Sequence, residues 1–166
     1  MYGNTRLIAE AVARGLSGGT NYAGDVAVVP VGKATRDVLA DADLIVVGGP
    51  THVHSMSRPS TRKAAAEDAS KHPERLALDP DSAGNGVREW LAEVELANTR
   101  MAAFDTRLAG PSLVTGQASR GITKALRKSG GRLVAKPESF LVAKGNTLVP
   151  DEETRAEVWG RELAKS

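Results

Sequence analysis

The spacing of apolar residues changes along the chain, and each change marks an element. Leu7, Ile8, Ala11, Val12 and Leu16 recur on one helical face. That spacing predicts a helix from about Asn4 to Leu16, stopped at Ser17-Gly18-Gly19 because glycine enters the left-handed cap without strain. Asp25 to Val31 reads as a strand, and a short helix fits between Arg36 and Ala40. Leu44-Ile45-Val46-Val47-Gly48-Gly49 is a continuous apolar run, the signature of a parallel strand covered on both faces. Pro59 to Ala69 predicts a helix with proline in its first turn. The polar, breaker-rich stretch from Lys71 to Gly84 reads as a surface excursion. Val87, Trp90, Leu91 and Val94 give an amphipathic helix, and their spacing assigns Trp90 to the core rather than to ligand stacking.

Thr99 to Phe104 continues the series as a strand. Ser119 then caps a helix bearing Ile122, Ala125 and Leu126, with Lys124, Arg127 and Lys128 toward its negative end and Gly130-Gly131 as its stop. Arg132 to Ala135 is a strand, interrupted at Pro137 and resumed at Phe140-Leu141-Val142. The last helix starts after Pro150 with Asp151, Glu152 and Glu153 in its first turn, and buries Val158, Trp159 and Leu163. Strands alternating with helices imply an α/β chain with right-handed crossovers, in which helices cover both faces of a parallel sheet. A length of 166 residues fits one domain spanning 1–166.

Composition narrows the function. With no cysteine, disulfides, thiolate metal sites and thiol nucleophiles are excluded. The 22 Lys and Arg are interspersed with 20 Asp and Glu, so a pI near 9.0 comes without a basic run and gives nucleic-acid binding little support. No apolar segment is long enough to cross a bilayer, and the N-terminus lacks a signal-peptide layout, which makes the cytoplasm the expected location. His52 and His54 have no further histidine, cysteine or carboxylate cluster near them in the sequence, as a metal site would require. Neither a Gly-x-Ser-x-Gly elbow nor a phosphate-loop Gly-Lys-Ser/Thr occurs.

The chemistry concentrates in three stretches. Met1-Tyr2-Gly3-Asn4-Thr5 runs straight into a helix start, where unpartnered N–H groups and partial positive charge suit a phosphate. The same Gly-Asn-Thr also serves as an ordinary helix cap. The second stretch is the strand that opens into Gly48-Gly49-Pro50-Thr51, and the third is Ala103-Phe104-Asp105-Thr106-Arg107 after a later strand. In this order the three resemble the flavodoxin-like FMN proteins, and the resemblance covers nearly the whole chain.

That resemblance implies a doubly wound parallel sheet of order 2-1-3-4-5, with FMN where the first and third strands part, as in flavodoxin itself. By analogy, Gly3, Asn4 and Thr5 hold the phosphate with Tyr2 beside them. Pro50, Thr51, His52, Val53, His54, Ser55 and Met56 flank the isoalloxazine near its N5. Phe104, Asp105, Thr106, Arg107 and the residues up to Gly110 close the pyrimidine side. Neither ring-binding loop has a Tyr or Trp, which suggests an open flavin site. Arg107 either places positive charge at the N1–C2 edge, favouring two-electron chemistry, or pairs at the surface with Asp105. The implied function is an FMN-binding redox protein, working by electron transfer or by NAD(P)H-linked reduction of a quinone or flavin, with a redox partner protein or a small quinone. The alternative is a binding or regulatory module of this fold that has lost FMN or binds it weakly.

One feature departs from the family. The phosphate turn begins at residue 1, leaving no residues for the central first strand. An absent strand leaves its neighbours about 10 Å apart. Four or five lost buried aliphatic side chains, at roughly 1.5–3 kcal/mol each, approach the whole ~5–15 kcal/mol stability of a domain. The expectation is that the natural polypeptide starts upstream, with an apolar strand ending in Ser or Thr. Otherwise the slot is closed by direct pairing of the neighbouring strands or filled by a strand from another chain.

Overall fold

A computed structural model describes residues 2–19, 24–72 and 84–166, so most of the excursion expected at 71–84 lies outside the described residues. Strand β1 (Leu44–His52) pairs in parallel with β3 (Arg100–Leu108), in register from Leu44 opposite Arg100 to Pro50 opposite Thr106. On its other edge β3 carries β4 (Arg132–Leu133) near its start and β5 (Glu138–Val142) near its end, both parallel. Pro137 lies between these two pieces, where a residue without an N–H cannot continue the ladder. A short strand, β2 (Ser55–Met56), turns back antiparallel onto Thr51 and His52.

Because the sheet is covered on both faces, β3 is buried at every position from Met101 to Thr106. Helices α1 (Asn4–Ser17) and α7 (Glu152–Leu163) pack on one face, where Ile8, Val12, Phe140, Trp159 and Leu163 gather around Phe104. The rings of Phe104, Phe140 and Trp159 meet edge to face, with centroids 5.8–6.3 Å apart. The two helices approach through Gly15 and Gly160. A Cβ on Gly15 would overlap the Glu157 carbonyl, and one on Gly160 would overlap that of Val12. On the opposite face, α4 (Val87–Glu93) and α6 (Ala118–Lys128) bury Leu91, Ile122 and Leu126 against Ile45, Val47 and Met101. Trp90 packs against this second cluster and donates its indole N–H to the Ala34 carbonyl at 2.9 Å.

Helices α2 (Arg36–Leu39) and α3 (Pro59–Lys71) lie where the sequence pattern places them. Elsewhere the structure corrects that pattern. Strand β3 runs on through Asp105 to Leu108, because β5 supplies a partner for those residues. A short helix, α5 (Ser112–Thr115), follows it. Ser119 does not cap α6; Gln117 occupies that position, and Ser119 donates its own N–H from the first turn. Val158 is 43% exposed, since its neighbour Trp159 takes the inward position. Residues 25–31, read as a strand, join no ladder among the described residues; Val28 and Val29 are left exposed and Val31 opens a 3-10 turn to Lys33. No helix among the described residues is long and apolar enough to cross a membrane.

Candidate functional site

The turn before α1 is a left-handed one. Gly3 has φ +85° with open space around it, so glycine is required there by backbone conformation rather than by crowding. No side chain caps the helix, and no acidic residue stands in its first turn. The first N–H groups of α1 and its positive end thus have no carboxylate close in sequence to satisfy them. The side chains here engage the scaffold. Asn4 donates to the Asn146 carbonyl at 3.0 Å and to its side-chain oxygen at 3.2 Å. The Thr5 and Thr106 hydroxyls meet at 2.7 Å, and Tyr2 donates to the Ala65 carbonyl at 3.3 Å. Burial, with Asp68 nearby, raises the Tyr2 pKa above its ordinary 10.0.

The second stretch forms a tight hairpin. Thr51 and His52 pair with Met56 and Ser55, leaving Val53 and His54 as its two central residues, both at positive φ (45° and 67°). Two-residue hairpins of this hand favour Asn-Gly, and a β-branched residue at positive φ is strained. Arg88 of α4 braces the hairpin, donating to the Met56 carbonyl at 2.9 Å and to the Ser55 hydroxyl at 3.3 Å. Burial holds the His52 imidazole below its ordinary 6.5.

In the third stretch, neighbouring side chains point in opposite directions. Phe104 turns into the core beneath α1 and α7. Asp105, also fully buried, accepts the Ser119 N–H at 2.7 Å and so satisfies a donor at the start of α6; its second oxygen has no partner among the described residues. Thr106 turns back toward α1 and meets Thr5. Arg107 folds across its own loop, donating to the Gly110 carbonyl at 2.8 Å and the Thr115 hydroxyl at 2.9 Å. No ion pair with Asp105 forms among the described residues.

Specific contacts bring the three stretches to one edge of the sheet. Pro50 is in register with Thr106, which holds Thr5. The Thr51 hydroxyl accepts the Ala118 N–H at 2.9 Å, and His54 bridges to Gly116. Gly116 has φ +79°, and a Cβ there would overlap the His54 backbone. Asn146, Thr115, Gly116 and Gln117 were not singled out in the sequence. Of these, only Gly116 carries a local signal, a glycine just ahead of a helix start.

The edge so assembled lies at the carboxyl ends of parallel strands, with a helix N-terminus opening onto it, the place where open α/β sheets bind ligands. No protein-family profile matches the sequence, and no curated protein is similar to it. Solved structures do match. A flavodoxin from the domain Archaea superposes at TM-score 0.63 and 18% identity, covering 99% of this chain and 91% of that one. Oxidised flavodoxin 1 from Bacillus cereus superposes at 0.63 and 16%, covering 99% and 92%. The fold is that of flavodoxin. A WrbA-like flavodoxin from Agrobacterium tumefaciens has the same fold, at TM-score 0.57 and 19% identity over 99% of this chain and 90% of that one.

Proposed function

We propose that this chain is an FMN-binding redox protein that acts by electron transfer or by NAD(P)H-linked reduction of a quinone or flavin. One observation carries the reading. An uncapped helix N-terminus with no acidic residue in its first turn stands at the same sheet edge as two loops, joined to it through Thr5 and Thr106. The group fits these residues. Since Asn4 and Thr5 side chains are engaged by the scaffold, the phosphate would be held mainly by the backbone N–H groups that open α1. The hairpin from Pro50 to Met56 and the loop from Arg107 to Gly110 would flank the ring. Bound FMN supplies reversible uptake of electrons and protons. The protein's part is to orient the ring, to exclude water from one side of it, and to place Arg107 and neutral His52 around it.

The test is titration of the apoprotein with FMN. Quenched flavin fluorescence and a shifted absorption band support the proposal, while unquenched fluorescence at saturating protein overturns it. The engagement of Asn4 by Asn146 favours one other reading, a flavin-free binding module in which this turn is purely structural. Asn4→Ala and Thr5→Ala decide between them. Weakened flavin binding in a folded variant supports the redox protein, and lost stability with no effect on any ligand supports the module. Oxidation of NAD(P)H with a quinone acceptor then separates an enzyme from a carrier.

A further inference from the structure

Helix α6 buries one face against the sheet and leaves the other to solvent. Ala118, Ser119, Ile122 and Leu126 are buried, while Arg120, Lys124, Arg127 and Lys128 are exposed. The spacing 120, 124, 127, 128 follows the helical period, so the four cations form one stripe about 12 Å long. No Asp or Glu occurs in the chain between Asp105 and Glu138. The acids on neighbouring elements are mostly engaged elsewhere: Asp105 is buried and bonded to the Ser119 N–H, Glu89 pairs with Arg62, Glu95 with Arg36, and Glu138 with Arg155. Glu93, at the end of α4, is left to offset one of the four cations.

Apolar side chains stand in water at the amino end of this stripe. Among the described residues, the four most exposed large apolar side chains are Leu113 at 96%, Val53 at 77%, Val114 at 67% and Leu108 at 55%. All four belong to loops that meet just ahead of α6. Leu113 and Val114 are on α5, which leads through Gly116 into α6; Gly116 bridges to His54, next to Val53, and Arg107, next to Leu108, donates to Thr115. An exposed apolar cluster with a row of cations leading away from it marks an interaction surface. We infer that this surface docks on an anionic lipid bilayer, with Leu113 and Val114 entering the interfacial layer and the α6 cations lying against the headgroups. Two features select lipid over a protein partner. Leu113 protrudes from a four-residue turn, and a fluid bilayer accepts a protruding aliphatic side chain without a matching pocket. Cations spread over two helical turns suit a surface of diffuse charge, whereas a protein would need carboxylates set in register with them.

The test is cosedimentation of the full chain, without added flavin, with phosphatidylcholine vesicles and with vesicles that also contain roughly 30% phosphatidylserine. Its outcome therefore does not turn on FMN. The expected result is binding to the anionic vesicles alone, released when salt is raised from about 0.05 to about 0.5 M. Lys124→Glu with Arg127→Glu should weaken binding at least about thirtyfold, and Leu113→Ser with Val114→Ser about tenfold or more. If either double variant fails to fold, the unaltered chain still reads the charge dependence through salt. Insertion is read separately, because the chain has no cysteine of its own. An environment-sensitive dye on Leu113→Cys should shift to the blue on anionic vesicles, and the same dye on Val158→Cys of α7, on the opposite face of the sheet, should not. Equal binding to both vesicles, no binding to the anionic ones at low salt, or a dye at position 113 that stays in water overturns the proposal. So does retention by polyglutamate with no binding to vesicles, since the cations then serve an acidic protein.

Discussion

The hydroxyls of Thr5 and Thr106 meet at 2.7 Å and join the first turn of α1 to the end of the buried strand β3. Thr106 is 5% exposed, so its hydroxyl has little access to water if that contact is lost. Thr106→Val keeps the shape and removes the bond. It should cost about 1 kcal/mol in urea unfolding and loosen the turn at Gly3. FMN titration of the folded variant should show weaker binding than the unaltered chain.

Val53 holds a left-handed conformation (φ 45°) while 77% exposed, so it bears backbone strain with little packing in return. Val53→Asn suits the hairpin turn and should raise stability by about 0.5–1 kcal/mol. An upward shift in melting temperature checks it. An unchanged or lower melting temperature would mean that Val53 makes a compensating contact.

Gly48 faces the Phe104 ring so closely that a Cβ would overlap it. Gly48→Ala should therefore destabilise the chain by about 1–3 kcal/mol, through displacement of a ring packed against Phe140 and Trp159. Adding Phe104→Leu to that variant should recover part of the loss, and thermal unfolding of the two variants measures the coupling.

Stability should fall in two stages on acidification. Burial holds the His52 pKa below 6.5. Below that pH the unfolded chain binds more protons than the folded one, so this stage of the loss begins near 6.5 and proceeds downward. For Glu89, burial pushes the pKa up, but the Gly86 N–H at 2.8 Å and Arg62 at 3.1 Å outweigh it and hold the carboxyl below 4.5. That contribution is complete above 4.5 and is lost as the pH falls through the lowered value. His52→Asn should remove the first stage in urea titrations across pH. Glu89→Gln should remove the second, and should lower stability at neutral pH by about 1–2 kcal/mol because Arg62 loses its partner.

The element order was legible because it rests on local periodicity. One helical face from Leu7 to Leu16 and one apolar run at Leu44 need no distant information to be recognised. The turn at Gly3 was legible as well, because turn chemistry is set by the residues in the turn; Pro50, read as the start of a loop, instead stays in β1, which runs on to His52 because Thr106 and the hairpin pair with it.

What the sequence left open depends on partners far away along the chain. Residues 25–31 have the composition of a strand, yet a strand exists only where a neighbour's edge lies within pairing distance, and among the described residues none does. Asp105 to Leu108 looked like a loop and became strand because β5, some thirty residues later, pairs with them. The period of two in that strand then sent Phe104 into one core, Asp105 to the start of α6, and Thr106 to α1. Asn4 found Asn146, 142 positions away, and Arg107 turned to the carbonyl of Gly110 rather than to Asp105. The sequence by itself determined which segments have helix, strand or turn chemistry and in what order, because those preferences act within a few residues. Only the tertiary structure decided which edges are paired and where each side chain at the sheet's end points, because these depend on contacts between segments that the chain brings together only on folding.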